Sequence, residues 1–265
     1  MITVEVEKLD ALFKPRGVAV IGASRQPGSV GHEVLRNVIN SGYKGAIYPV
    51  NPKANEVLGL KCYPSVLKIP GEVDLGVVAV PAKIVPMVAE EAGEKGLKAL
   101  VVISAGFREV GPEGLKLEKE LVSICRKHGM RLVGPNCVGI LDTHTPLNAS
   151  FAAIMPPKGN IAFISQSGAL ICAILDWAIK EGLGFSKIVS LGNKADLDEA
   201  HFLEYLAKDP ETKVVLLYIE DVRSGERFIE AARRICKEKP VLAIKGGISE
   251  AGARAASSHT GSMAG

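Results

Sequence analysis

Short apolar runs rich in Val, Ile, Leu and Ala recur along the chain, separated by longer segments with helical spacing of apolar and polar positions. In the first half the runs fall at residues 18–21, 46–50, 75–80, 99–103 and 131–133, and the helical patterns at 32–41, 83–95 and 112–128. Each run is nearly continuous rather than alternating, as in a strand covered on both faces of a parallel sheet. Strands and helices alternating in this way predict a doubly wound, Rossmann-like α/β domain. Between about residues 141 and 158 the period is lost; the stretch "LDTHTPLNASFAAIMPPK" holds three prolines and reads as a linker or crossover. Alternation then resumes, with strands at 160–165, 187–191, 214–220 and 241–245 and helices at 168–181, 199–208 and 225–239, a smaller flavodoxin-like arrangement. The expected division is 1–145 and 146–265. A doubly wound domain ordinarily continues with another helix and strand, so the chain reads as one part of a larger protein, with its second domain incomplete.

Composition narrows the function classes. A chain of 265 residues, 47% hydrophobic and 23% charged, has room for about two domains with a sizeable core. Its 32 basic and 29 acidic residues give a net charge of +3, too balanced to argue for nucleic acid or an anionic membrane. Aromatic residues are only 5%, with no basic–aromatic stripe for single-strand stacking. No apolar run is long enough to span a bilayer and no signal-peptide pattern opens the chain, so the expected location is cytoplasmic. Cys62, Cys125, Cys137, Cys172 and Cys236 are dispersed without C-x-x-C spacing, and the five histidines are scattered. Reduced thiols and the absence of a metal site are expected.

The chemistry gathers at strand ends. In "AVIGASRQPGSVGHEV" the glycines Gly22, Gly28 and Gly31 let the backbone turn and approach a ligand where a helix N-terminus presents free N–H groups. Ser24 stands where G-x-G-x-x-G requires its second glycine, so the loop is either a nucleotide-type site or a tight turn. The next strand ends in Asn51, Pro52 and Lys53, with no carboxylate for the ribose hydroxyls of NAD. Lys53 suits a phosphorylated ribose, which NADP and coenzyme A both carry; otherwise it is a solvent-facing loop lysine. Val80 and Pro81, residues 103–107 and residues 134–140 end further strands on the same edge, and Asn136 can bond an amide or carbonyl there. Cys137 lies nearby, but nothing adjacent lowers its pKa, which suggests a structural thiol. In the second half, Ser165, Gln166, Ser167 and Gly168 place small donors at the start of a long helix. They form either a second anion site or an N-cap by Ser165 or Ser167. Asp196 or Asp198 is expected to cap the next helix, with Asn193 in a turn. Glu220 ends a strand, where a carboxylate can orient an imidazole or simply face solvent. Lys245, Gly246 and Gly247 lead towards His259, which sits in "ASSHTGSMAG" with no apolar neighbour to pack against. His259 is the candidate nucleophile for phosphate, the alternative being an incidental histidine in a solvated tail.

Taken in order, "AVIGAS", "YPVNPK", "GPNCVGI", "ISQSGAL", "SLGNKAD", "YIEDV" and "EAGARAASSHTGSMAG" resemble the α subunits of the NDP-forming acyl-CoA synthetases. The archaeal ADP-forming acetate–CoA ligases are the nearest in pattern, and succinyl-CoA synthetase is a further relative. The resemblance covers essentially the whole chain. It implies a CoA-binding first domain, with Ser24, Lys53, Val80, Pro81 and Asn136 near the cofactor. It implies that His259 is transiently phosphorylated, that Glu220 holds it, and that Gln166, Ser167 and Gly168 cradle the phosphoryl group. Acyl-CoA and phosphate would give an acyl phosphate and CoA, the histidine passing the phosphoryl group to ADP and leaving an acetate-like carboxylic acid. In that family Mg-ADP or ATP sits in an ATP-grasp unit, which nothing here resembles. A separate nucleotide-binding β subunit in an α2β2 hetero-oligomer, or further downstream sequence, is therefore expected to supply the nucleotide site. The rivals are a non-catalytic CoA-binding regulatory module, which need not keep "SSHTG" and Glu220, and an NADP-dependent reductase, which has no use for the His259 loop.

If Lys53 meets the ribose phosphate, Lys53→Ala is expected to weaken CoA more than dephospho-CoA. A charge-assisted contact of this kind contributes about 1.5–3 kcal/mol, or about tenfold to a hundredfold. Equal losses for the two ligands in calorimetry would remove Lys53 from that role.

Overall fold

The apolar runs of the first half become five buried parallel strands. A computed structural model describes residues 9–247. Its first part contains α1 (Asp10–Phe13), β1 (Gly17–Ile21), α2 (Val30–Asn40), β2 (Ala46–Val50), a short hairpin of β3 (Glu56–Val57) and β4 (Leu60–Lys61), β5 (Leu75–Val78), α3 (Val85–Lys95), β6 (Ala99–Val102), α4 (Pro112–Lys127) and β7 (Arg131–Val133). The sheet order is β2–β1–β5–β6–β7, all parallel. The order reverses between β1 and β5, so the first crevice opens where these two strands end.

The second part contains β8 (Gly139–Asp142), β9 (Leu147–Ser150), β10 (Lys158–Ser165), α5 (Gly168–Lys180), β11 (Phe185–Ser190), α6 (Glu199–Lys208), β12 (Val214–Ile219), α7 (Gly225–Ile235) and β13 (Val241–Lys245). Its sheet runs β13–β12–β10–β11–β8–β9, with β8 and β9 antiparallel additions to a parallel core. A second reversal lies between β10 and β12. The α/β class read from the alternation holds for both parts, and α7 stops at Ile235, short of the residue 239 expected.

The linker expected from 141 to 158 is a correction. Most of its first half is a buried hairpin, β8 and β9, paired to β11. The prolines do not break it because they punctuate it: Pro146 sits in the turn, and Pro156 and Pro157 precede β10. Asp142 closes the turn by accepting from the N–H groups of His144 and Thr145 at 2.8 and 2.9 Å. The 145/146 division expected from the sequence falls inside this turn. Asn37 on α2 donates to the carbonyls of Ser150 and Ala152 at 2.9 and 2.8 Å, which ties the first part to the hairpin.

Asp198 is the cap of α6, in a reciprocal capping box with His201. Asp196 instead receives Arg131 at 2.9 and 3.2 Å across the two parts.

Inside the second part Lys187 on β11 is fully buried between Asp209 at 2.8 Å and Asp142 at 3.3 Å, with the Phe13 ring 5.6 Å away. Burial pushes the Asp209 carboxyl up, but hydrogen bonds from Lys187 and Thr212 outweigh it and leave Asp209 below its ordinary pKa. A group depressed in this way supports the fold above its unfolded pKa, and that support is lost as pH falls through the folded one. Lys187→Met strands two buried carboxylates and is expected to cost about 3–5 kcal/mol, read from the urea unfolding midpoint. Asp209→Asn should cost less, because Asp142 still faces the ammonium. An unchanged midpoint for Lys187→Met would show that the cluster carries no stability.

Candidate functional site

At the first reversal the chain leaves β1 through Gly22, whose φ of +94° is open only to a residue without a side chain. A Cβ there would lie 2.3 Å from the carbonyl oxygen of Ala79, and one on Gly31 would lie 1.9 Å from that of Gly22. The two glycines therefore let β1, the end of β5 and the first turn of α2 approach more closely than any side chain permits. Asn51 fixes the loop by donating to the carbonyl of Ala23 at 2.7 Å. The Ser24 hydroxyl accepts from the Gln26 N–H at 3.1 Å, and the His32 ring meets the Ser24 carbonyl at 2.8 Å. Lys53 is exposed beyond Asn51, to which its own N–H donates at 2.8 Å. Val80 is half-buried and joined to Ser104 on both sides, its N–H donating at 3.2 Å and its carbonyl accepting at 2.6 Å. Pro81 is exposed just after it.

At the second reversal β10 ends at Ser165, and the chain turns sharply into α5. Of the two cap candidates Ser167 is the N-cap, accepting from the Leu170 N–H at 3.2 Å, while Ser165 holds Ser167 by bonds of 3.0 and 2.9 Å. Gln166 is occupied on all sides. Its N–H donates to the Tyr218 carbonyl at 3.1 Å, its side-chain oxygen accepts from the N–H groups of Glu220 and Asp221, and its side-chain nitrogen donates to Asp221. The donors left for an anion are the N–H groups of Gly168 and Ala169, which have no acceptor within the helix and sit at its positive end.

A cleft of about 890 Å³ opens between the two reversals. Val80, Ser104 and Asn136 line it from the first part, and Gln166, Ser167, Gly168 and Glu220 from the second. Six of the expected site residues, Val80, Asn136, Gln166, Ser167, Gly168 and Glu220, thus share one cavity, which Cys137 and Asn193 also line. Gly22 and Ser24 on the first loop, Lys53 after β2 and Pro81 after β5 all lie outside that lining. His259 lies outside the described residues. Asn136 is held in the left-handed region at φ +57° by its N–H bond to the Ser104 carbonyl, and its side chain meets Asn193 at 3.4 Å. Lys245 donates to the carbonyls of Glu220 and Gly246, both at 2.8 Å. Burial pushes the Cys137 thiol up to about 12, consistent with a structural cysteine.

Three polar residues around the cleft carry no site role expected from the sequence, although Asn193 and Lys194 lie in "SLGNKAD" and Asp221 in "YIEDV". Asn193 is buried and donates to Glu109 at 2.6 Å and Glu118 at 2.8 Å. Lys194 is buried beside Asp221, and Asp221 holds Gln166. Apart from those motifs, their sequence signal is a polar pair shortly after a strand and a second carboxylate after Glu220. Among the described residues no group of three or more His, Cys, Asp or Glu is placed to hold a metal ion, and no helix is long and apolar enough to cross a membrane.

Residues 16–143 match the CoA binding domain family and residues 158–265 the succinyl-CoA ligase like flavodoxin domain family. A CoA-binding fold joined to a ligase-type flavodoxin fold defines the class. The chain is 55% identical over 257 residues to acetate–CoA ligase (ADP-forming) I of Archaeoglobus fulgidus, which covers 97% of this chain and 37% of that protein. It is likewise 55% identical over 257 residues to acetate–CoA ligase (ADP-forming) II subunit alpha of Pyrococcus furiosus, covering 97% and 56%. The dinucleotide forming acetyl-coenzyme A synthetase 1 of Ca. Korarchaeum cryptofilum, solved in complex with phosphate and ADP, superposes with a TM-score of 0.93 at 47% identity, over 97% of this chain and 55% of that one. The chain belongs to the NDP-forming acyl-CoA synthetase family. It spans 37% to 56% of the length of these relatives.

The first loop depends on backbone contact, so Gly31→Ala is expected to displace it. The cost should be about 1–3 kcal/mol of stability, together with loss of CoA binding. Calorimetric CoA affinity equal to that of the unmodified chain would show that the loop does not shape the ligand site.

Proposed function

We propose that this chain is the α-subunit-type portion of an ADP-forming acyl-CoA synthetase acting on a small, acetate-like carboxylic acid. The observation that carries this reading is the shared cleft. It places the loop ends of a CoA-type fold opposite a helix start with free N–H groups and a carboxylate-bearing strand end. CoA lies along the first reversal, with Lys53 towards its ribose phosphate and Asn136 towards the thioester. Phosphate at the N–H groups of Gly168 and Ala169 attacks the thioester carbonyl. The C–S bond breaks, CoA leaves as the thiolate, and an acyl phosphate remains. His259 then attacks phosphorus, the P–O bond to the acyl group breaks, and the carboxylate departs. Glu220 accepts one imidazole N–H, which fixes the tautomer and leaves the other nitrogen free to attack. The attacking nitrogen must carry no proton, so this step uses the neutral imidazole. The helix start offsets the charge that phosphorylation brings into the site.

The phosphoryl group passes on to ADP. We place the nucleotide on a partner subunit, in an α2β2 assembly, in keeping with the relative named as a subunit alpha. Supporting this, Trp177, Leu242 and Ile244 on the α5 side of the second sheet are 55%, 56% and 66% exposed, apolar area of the kind that an interface or further domain covers.

The test is to incubate the assembled enzyme with acyl-CoA and labelled phosphate. The label should be acid-labile and alkali-stable, as in a phosphoramidate, and His259→Ala should abolish it with CoA binding near normal. Glu220→Gln should slow labelling about 100-fold or more, since it keeps shape and loses charge. Label on Ser257, Ser258 or Thr260, or turnover retained by His259→Ala, would overturn the mechanism.

A further inference from the structure

The loop from β11 to α6 touches both halves of the cleft. Towards the first part, the N–H groups of Asn193 and Ala195 donate to the carbonyls of Pro135 and Gly134 at 2.8 and 2.9 Å. Towards the second, Lys194 has a side chain that is 0% exposed. Its ammonium donates to Glu199 at 2.9 Å and to the Asp221 carbonyl at 2.7 Å, and it lies 3.0 Å from the Asp221 carboxylate. Arg223 grips the same loop through the carbonyls of Lys194 and Ala195.

A lysine is a costly choice for this position. Burying an ammonium costs several kcal/mol even after relaxation, and an apolar side chain of similar length would fill the volume without that cost. Lys194 also sits at φ +52°, a region unfavourable for a residue with a Cβ. What the ammonium supplies is charge at Asp221. Burial pushes the Asp221 carboxyl up, but Lys194 and Gln166 outweigh it and leave it below its ordinary pKa.

The consequence reaches the cleft through one amide. An ionised Asp221 accepts and cannot donate, so Gln166 must turn its nitrogen towards Asp221. Its oxygen then faces the backbone N–H groups of Glu220 and Asp221, and accepts from both. With that polarity the backbone of Glu220 is fixed relative to the first turn of α5. With the amide reversed, its NH2 group would face two N–H donors, and the end of β12 would be released.

Resting on the phosphoryl-transfer reading above, we propose that Lys194 is a positioning residue of this site. By anchoring Asp221 it sets the orientation of the Gln166 amide, and through it the placement of Glu220 opposite the N–H groups of Gly168 and Ala169. Lys194 touches neither phosphate nor CoA. Its effect falls on the transfer step and not on CoA affinity.

The experiment is single-turnover labelling by acyl-CoA and labelled phosphate in the assembled enzyme, alongside CoA affinity and the urea midpoint. Lys194→Met is expected to slow labelling about tenfold to a hundredfold at saturating phosphate, with CoA affinity within about twofold of the unmodified enzyme. Asp221→Asn keeps the side-chain shape but removes the charge that Lys194 anchors and that draws the Gln166 nitrogen, so it should slow the same step with CoA affinity kept. The double variant should be no slower than the slower single one, because both act through Gln166. Asp221→Asn decides the matter if Lys194→Met does not fold. Labelling at the unmodified rate in a folded variant overturns the proposal, and so does a parallel fall in rate and CoA affinity, which marks a merely structural role. If the unmodified enzyme is not labelled on His259, the functional reading fails, and with it the step that Lys194 serves.

Discussion

Three backbone hydrogen bonds set the geometry on which the site depends. The N–H groups of Asn193, Ala195 and Leu197 donate to the carbonyls of Pro135, Gly134 and Leu132 at 2.8, 2.9 and 3.2 Å. They bind the loop after β11 in the second sheet to the end of β7 in the first. Each sheet brings its crevice to the carboxyl ends of its own strands, as open α/β sheets do, but that rule says nothing about how two crevices face each other. Here the connection between the sheets supplies that information. It is reinforced by the pairing of Arg131 with Asp196 and by Asn37 reaching the end of β9. Because these contacts join main chain to main chain, they survive most changes of side chain.

The two crevices reach their chemistry by different means. The first relies on the lack of a side chain, since Gly22 and Gly31 bring three backbone segments to within the radius of a Cβ. The second relies on polar support around a helix start. Ser165 holds Ser167, Ser167 caps α5, and Gln166 ties the turn to the end of β12. An anion in this turn meets backbone dipoles and no fixed cation from the turn itself. The nearby ammonium of Lys194 is already bonded to Glu199 and Asp221. In the proposed reaction, a site built in this way binds the phosphoryl group without the tight grip that would stop its onward transfer.

The fold was largely legible because parallel strands buried on both faces leave near-continuous apolar runs, and β1, β5 and β6 are buried at every position. The hairpin of β8 and β9 was not. Its strands are only four residues each, and their pairing with β11 is a long-range fact that a local period does not contain. The same limit applies to the site. Glycines, the Ser167 cap and Glu220 announce themselves by position beside a strand or helix. Asn193 and Asp221 sit in recognisable motifs, but their partners lie 84 and 55 residues away in sequence, so no spacing rule reveals what they hold. Gln166 shows the converse, because its place at a helix start suggests an anion ligand, while its N–H and amide are all engaged in support.

An acyl phosphate hydrolyses if water reaches it, so under the proposed function the cleft must be selective about what it leaves wet. The walls here are mixed in a particular way. Val80, Ile103, Val138 and Phe151 line the cavity with apolar surface, and the polar side chains come from Ser104, Asn136, the end of β11 with Asn193, the α5 turn and the β12 end. Phe151, at 37% exposure, comes from the segment just after β9. That gives the hairpin missed in the sequence a place in the chemistry. It extends the second sheet and also carries an aromatic ring to the cleft. Electrostatic stabilisation by the N–H groups of Gly168 and Ala169 strengthens as water is excluded, since the same dipoles act in a lower dielectric. Apolar walls and a dipole-based anion site are therefore one arrangement, because without the walls the helix start would be competing with water for the phosphoryl group.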